Sequence, residues 1–214
     1  MDADTAPAQR LLSATAEKQC WGFMIGSTLF AVGSAPGFAD AVGSSVANLC
    51  FFAGAWFFTA AALVQLVRSG DATTSRSDGE RQFRPEWLSA ATQFAGALLF
   101  NVSTAAALHA DTVTDERRRV WTPDAAGSLA FLVSGLLAVV VVAHAMRWWA
   151  PRRRDWWAAQ INLLGCVAFG ISALGAYVTS AGEVVNDAVA MGGTFVGAIC
   201  FLISAWLSLP RRAH

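Results

Sequence analysis

QFAGALLFNVST, residues 93–104, sets Gly96, Phe100 and Thr104 four residues apart. A four-residue step keeps side chains near one face of a helix, so this segment presents one ring with a small residue above and below it. The same small-xxx-Phe-xxx-small step recurs at Gly26/Phe30/Ser34, Ala47/Phe51/Ala55, Gly127/Phe131/Gly135, Gly165/Phe169/Ala173 and Gly197/Phe201/Ala205. Each copy sits in a long apolar segment. The expected fold is all-α: a polytopic membrane protein of six helices, packed ring into notch. Lipid gives no hydrophobic drive between helices, so close approach at small residues supplies dispersion contact instead.

The bulk composition points the same way. Hydrophobic residues make up 55% of the 214 and charged residues 14%. The charge lies in short runs, and between them are stretches that reach the roughly 20 helical residues needed to cross a hydrocarbon core. The formal net charge is zero, so no basic field suggests nucleic acid as a partner. Cys20, Cys50, Cys166 and Cys200 form no CxxC pair, and three of them fall in apolar segments. They read as small buried hydrophobes, not as a disulfide framework.

The expected spans are residues 21–37, 43–67, 87–109, 122–146, 157–179 and 188–209. They form one transmembrane domain over 21–209, between a tail at 1–20 and a tail at 210–214. Charge fills the first tail, so no cleavable signal is expected. Pro36-Gly37 marks the first exit, and RSGDATTSRSDGERQFR (68–84) reads as a polar loop that builds no core. Thr122-Pro123-Asp124 reads as a helix start, with Thr as N-cap, Pro at the first helical position and an acid at the positive dipole end.

Alternate connections differ in charge. One side collects Arg10, Lys18, Arg68, Arg76, Arg81, Arg84, Arg147, Arg152, Arg153, Arg154, Arg211 and Arg212, twelve in all; the other has only Arg117, Arg118 and Arg119. The positive-inside rule then puts both termini in the cytoplasm, with the protein in the plasma (inner) membrane. Trp21, Trp87, Trp148, Trp149, Trp156 and Trp157 mark the inner interface, and Trp121 the outer one.

Two span types alternate. Odd spans read GSTLFAVGS, GALLFNVST and GCVAFGISA; even spans read NLCFFAGAWF, SLAFLVSGLL and AICFLISAWL. The matching phenylalanines of odd spans lie 70 and 69 residues apart, those of even spans 80 and 70. Near-constant spacing suggests a two-helix hairpin present three times; chance matching in a chain rich in Gly, Ala and Phe is the other explanation. Gly193-xxx-Gly197 is a strict GxxxG, suited to packing within one chain or to dimerisation. Trp21-GFMIGSTLFAVGS followed by NLCFFAGAWFFTAAALVQL, residues 21–67, resembles the YrhK-like family of small bacterial membrane proteins. The resemblance implies membrane location and a helical hairpin, and carries over no activity and no catalytic residue.

Little here suggests catalysis. No Asp, Glu, Lys or Arg lies near the middle of an expected span, which argues against a proton-coupled pump. His109 and His144 fall near opposite membrane faces, too far apart to share one haem or metal. No cofactor, metal site, nucleotide loop or catalytic dyad is expected. Asn48, Gln93, Asn101, Gln160 and Asn162 lie in or at the edge of spans. An unpaired amide in hydrocarbon is costly, so they bond between helices or line a small polar cavity. As cavity candidates we single out Asn48, Gln93, Asn101 and Asn162. The consecutive Arg152, Arg153 and Arg154, among tryptophans, form a basic aromatic belt suited to anionic phospholipid headgroups.

The expected function is therefore a non-enzymatic membrane protein: structural, lipid-interacting or an accessory subunit, with a homo- or hetero-oligomer among its partners. The alternative is a facilitator or channel for a small neutral or apolar solute. A continuous polar cavity would favour transport, and a solid core of phenylalanines the first reading.

Overall fold

The computed structural model describes residues 13–75, 80–146 and 148–210. Arg10, Arg76, Arg147, Arg211, Arg212 and His214, with much of the two expected tails, lie outside the described residues. Among the described residues the fold is all-α apart from one short two-stranded ribbon and a single antiparallel bridge between Val178 and Val184. Six long helices dominate it: α1 (Ala16–Gly33), α3 (Ser44–Arg68), α4 (Pro85–Ala107), α6 (Thr122–Met146), α7 (Arg154–Gly175) and α8 (Asp187–Ser208). Two short ones, α2 (Phe38–Val42) and α5 (Val113–Asp115), lie in connections.

Local chemistry sets these bounds. Helix α1 starts five residues ahead of Trp21 because Thr15 caps it, its hydroxyl accepting the Lys18 N–H at 3.3 Å. Glu17 sits in that first turn, where the helix dipole favours an acid. The chain leaves α1 at Ser34 and turns at Gly37 and Gly43, whose φ of 75° and 91° suit glycine. The stretch expected as a plain polar loop instead holds β1 (Thr73–Ser75) paired antiparallel with β2 (Arg81–Phe83). Arg84 Nη1 donates to the Ser69 carbonyl at 2.9 Å and ties the ribbon to the end of α3.

One expected helix start is corrected. Thr122 is not an N-cap: its φ of −61° and ψ of −48° are helical, and its hydroxyl donates to the Arg117 carbonyl at 2.7 Å. The cap is Thr112, which accepts the Asp115 N–H at 3.1 Å. From there α5 continues through a π-helical turn, Glu116–Trp121, into α6 without a break. Pro123 has no N–H to give and crowds the carbonyl four residues before it, that of Arg119; the wider turn falls at that place.

The long helices run alternately up and down. The starts of α1, α4 and α7 share one end of the bundle with the ends of α3, α6 and α8, and Gln19, Gln65, Ser89, Val142, Asp155 and Ser208 meet there. Around the bundle the order is α1, α3, α4, α6, α7, α8, and α8 returns to α1, so the ring closes. The most extensive contacts join α1 to α3, α4 to α6 and α7 to α8.

Each of these three pairs crosses at glycines. A Cβ on Gly26 would lie 2.8 Å from the Phe58 ring and 2.9 Å from the Gly54 carbonyl, while one on Gly54 would lie 2.7 Å from Phe30. Gly96 and Gly127 stand in the same relation to Phe131 and Phe100, and Gly165 and Gly197 to Phe201 and Phe169. Every ring therefore fills the notch left by the partner helix's glycine. Gly193 packs on Ala168 and Ser172 of α7, and Gly135 on Leu163 and Cys166, so both glycines serve contacts within this chain.

The rings converge. Phe30, Phe58, Phe100, Phe131, Phe169 and Phe201 are each at most 5% exposed. Centroids lie 5.0 Å apart for Phe100–Phe131, 5.3 Å for Phe169–Phe201 and 5.9 Å for Phe30–Phe169, within the range of favourable aromatic pairs. Phe51, expected among these six, packs half-buried on Phe30 with its ring beside Gly33, and Phe58 holds the central place. In an antiparallel pair crossing at Gly26, the residue opposite is Phe58; Phe51 lies two turns nearer the connection.

The outside of the bundle is apolar. Leu49, Trp56, Val67, Val102, Leu129, Leu136, Leu174 and Trp206 are all more than half exposed, while buried positions hold serine, alanine, glycine and phenylalanine. Such a continuous apolar girdle around a partly polar interior suits lipid, not water. Among the described residues, four helical segments are long and apolar enough to cross a membrane: Ser44–Arg68, Val113–Met146, Arg154–Gly175 and Asp187–Ser208. The six expected spans are thus reduced to four by length and composition. Helix α1 opens on Glu17, Lys18 and Gln19, and α4 carries Glu86, Gln93 and Asn101 with four Ser and Thr residues.

Candidate functional site

Two cavities approach the phenylalanine layer from opposite ends. The proximal one, about 250 Å³, opens at the end where α1 starts. Phe23, Phe58 and Phe201 form its apolar floor, and Ser89, Gln93, Ser134, Asn162 and Ser204 its polar wall. The distal one, about 200 Å³, lies at the other end, over Phe30, Phe100 and Phe169. The space among Phe30, Phe58, Phe100, Phe131 and Phe169 holds no water-sized void.

Serines build the proximal wall. Ser89 of α4 donates to the Ser134 carbonyl at 3.0 Å, and Ser134 of α6 donates back to the Ser89 carbonyl at 2.8 Å. Ser204 of α8 donates to the Ala158 carbonyl of α7 at 2.8 Å. Each of these serines stands seven residues from its crossing glycine, two helical turns along the same face. Gln93 and Asn162 each precede their glycine by three residues. Gln93 is 5% exposed and, among the described residues, its amide has no hydrogen-bond partner. The Asn162 amide reaches only the Cys166 sulfur, at 3.9 Å. Two amides thus keep donors and acceptors free for an occupant. Asp155, at the mouth, pairs with Arg153 at 3.7 Å.

The distal cavity is different in charge. Glu116 and Asp124 both line it, with Asn48, Ser103 and Trp121. Among the described residues no ion pair or side-chain hydrogen bond reaches either carboxylate. The nearest guanidinium in sequence, that of Arg117, is held on α7's exit: Nε donates to the Val178 carbonyl at 2.7 Å, Nη2 donates to the Tyr177 hydroxyl, and the group lies 5.1 Å over the Tyr177 ring. Arg119 pairs with Asp115 at 3.3 Å. Trp121 Nε1 donates to the Ala173 carbonyl at 2.8 Å, which fixes the indole against α7.

The four amides singled out in the sequence are therefore divided. Gln93 and Asn162 line the proximal cavity, and Asn48 lines the distal one while donating to the Ala107 carbonyl at 3.2 Å. Asn101 lines neither: its amide donates to the Thr59 hydroxyl at 2.8 Å and joins α4 to α3, a bond of about 0.6–2 kcal/mol in a membrane bundle. The serines and Glu116 carry no reading in the sequence, and Asp124 reads there only as an acid at a helix start. Their signal was position relative to the crossing glycines for the serines, and the Thr112 cap for the acids.

Among the arginines of the basic belt, Arg152 is exposed, Arg153 pairs with Asp155, and Arg154 donates to the Trp206 carbonyl at 3.2 Å while lying 5.8 Å over its ring. Trp148 and Trp149 beside them are among the most exposed apolar side chains. All four cysteines are unpaired thiols. Comparison with family models, curated proteins and solved structures finds no match to this chain.

Proposed function

We propose that this chain is an integral membrane protein of six crossing helices that seals the bilayer and serves a non-enzymatic structural, lipid-interacting or accessory role. The observation that carries this reading is the closed phenylalanine layer: both cavities stop at it, and it leaves no room for water. In liposomes containing the protein, urea and glycerol should permeate no faster than in empty ones, measured by stopped-flow light scattering. Faster flux that Gln93→Leu or Asn162→Leu abolishes would retire the sealed reading and establish the second one, a gated facilitator for small neutral solutes. That second reading draws on the facing cavities, since a single layer of rings separates them and hydrophobic constrictions gate by dewetting.

Six crossings, not four, are supported by the outer surfaces of α1 and α4. Trp21, Ile25 and Val32 of α1 and Leu98 and Val102 of α4 are exposed, while Ser89, Gln93, Ser103 and Thr104 face inward and are buried. Four of the polar residues that lower the hydropathy of α4 are therefore turned away from lipid. A threefold hairpin ancestry gains from the substitution of Phe58 for Phe51 in the pattern: Phe58, Phe131 and Phe201 are spaced 73 and 70 residues apart, close to the 70 and 69 of the other set. The excess of twelve basic residues over three supports the proximal end facing the cytoplasm at the plasma membrane. Cysteine labels at residues 71 and 153 should react from the cytoplasmic side and one at 111 from the other; label at 71 and 111 reacting from the same side would defeat this topology.

A further inference from the structure

We propose that the distal cavity binds a small organic cation of the alkylammonium class. The π-helical turn sets which side chains face this cavity. In a plain α-helix two residues eight apart point about 80° away from each other. A π turn takes up about one extra residue, and Glu116 and Asp124, on either side of it, both line the same cavity. Two half-buried carboxylates thus share a pocket of about 200 Å³ at the distal end of an apolar bundle, and among the described residues no Lys, Arg or His pairs with either. Burying charge without a partner is costly, so such a site is completed by a cation.

The rest of the lining presents acceptors. Asn48 spends its amide N–H on the Ala107 carbonyl, leaving its oxygen free. Ser103 is 4% exposed, has no hydrogen-bond partner among the described residues, and lines the same cavity. Its floor and sides are rings: Phe30, Phe51, Phe100, Phe169 and the fixed indole of Trp121. Faces of this kind attract a diffuse positive charge. A bare metal ion fits the site poorly, because among the described residues no three His, Cys, Asp or Glu side chains gather closely enough to hold one. The proximal cavity, by contrast, offers amides and hydroxyls, and its one acid is already paired.

Binding to this cavity does not require the phenylalanine layer to open, so it is tested separately from flux. Purified full-length protein in nanodiscs would be titrated with tetramethylammonium, choline and 3,3-dimethylbutan-1-ol (the uncharged isostere of choline), followed by tryptophan fluorescence and calorimetry. Saturable binding of both cations is expected, with the alcohol at least tenfold weaker. Glu116→Gln and Asp124→Asn should each weaken choline at least tenfold, and Gln93→Leu in the other cavity should leave it within twofold. Equal affinity for choline and its isostere, choline affinity unchanged in both acid variants, equal loss in Gln93→Leu, or no saturable binding of either cation would each overturn the proposal. The choline–isostere comparison uses the unaltered chain, so it decides the matter even where an acid variant fails to fold.

Discussion

Gly96→Ala should destabilise the bundle by about 1–3 kcal/mol, the usual cost of forcing extra volume into a packed core. The added Cβ would lie 2.5 Å and 2.8 Å from two atoms of the Phe131 ring and 3.0 Å from the Gly127 carbonyl. The ring has nowhere to retreat, because Phe100, Phe58 and Phe201 stand around it at 5.0, 6.2 and 5.9 Å. Helices α4 and α6 must therefore separate, and the loss extends along both. Gly192→Ala is the matched control: a Cβ there meets nothing within 4 Å, and relief of glycine's helix penalty should stabilise by about 0.5–1 kcal/mol. SDS-induced unfolding in mixed micelles reads both. Trimming the ring in the same chain, Gly96→Ala with Phe131→Leu, should cost less than the two single changes added together, since the partners share one space. Additive losses would show that the glycine does not serve the ring.

Phe131→Ala should lower stability by about 3–5 kcal/mol, the range for emptying a large aromatic from a close-packed interior. Phe131 is 2% exposed and touches three of the other five rings. The same change has a second consequence that a purely structural residue would not produce. It opens a gap in the apolar layer between cavities of about 250 and 200 Å³, whose walls carry amides, hydroxyls and acids. Water should then cross, and liposomes bearing Phe131→Ala should equilibrate urea faster than those bearing the unaltered chain. Phe57→Ala, on the lipid-facing side of α3 and 40% exposed, should change neither stability nor flux beyond small amounts. Unchanged flux in Phe131→Ala would mean that the remaining rings collapse into the space.

The four-residue step around phenylalanine was legible because close packing needs small residues at fixed helical intervals, and five of the six central rings follow from it. Helix α3 defeated it. Phe51 and Phe58 lie seven residues apart, and both have small residues four positions to either side: Ala47 and Ala55, Gly54 and Ala62. Spacing within one helix treats the two alike. Only the opposing helix chooses between them, since Gly26 faces Phe58. The acids of the distal cavity were hidden for a similar reason. Thr122-Pro123-Asp124 has every local mark of a helix start, and a stronger cap ten residues earlier overrides it. The amides were visible as candidates, but the choice between cavity and partner was made by which neighbour each met: Thr59 for Asn101, open space for Gln93.

That α8 packs against α1 carries a consequence for how the chain could be rewired. A bundle closed in this way has no first or last helix in space, only in sequence, and Ala16 and Ser208 sit at the same end of it. A short linker joining those two points, with new termini cut in the turn between Met146 and Arg154, would trace the same circuit from a different origin.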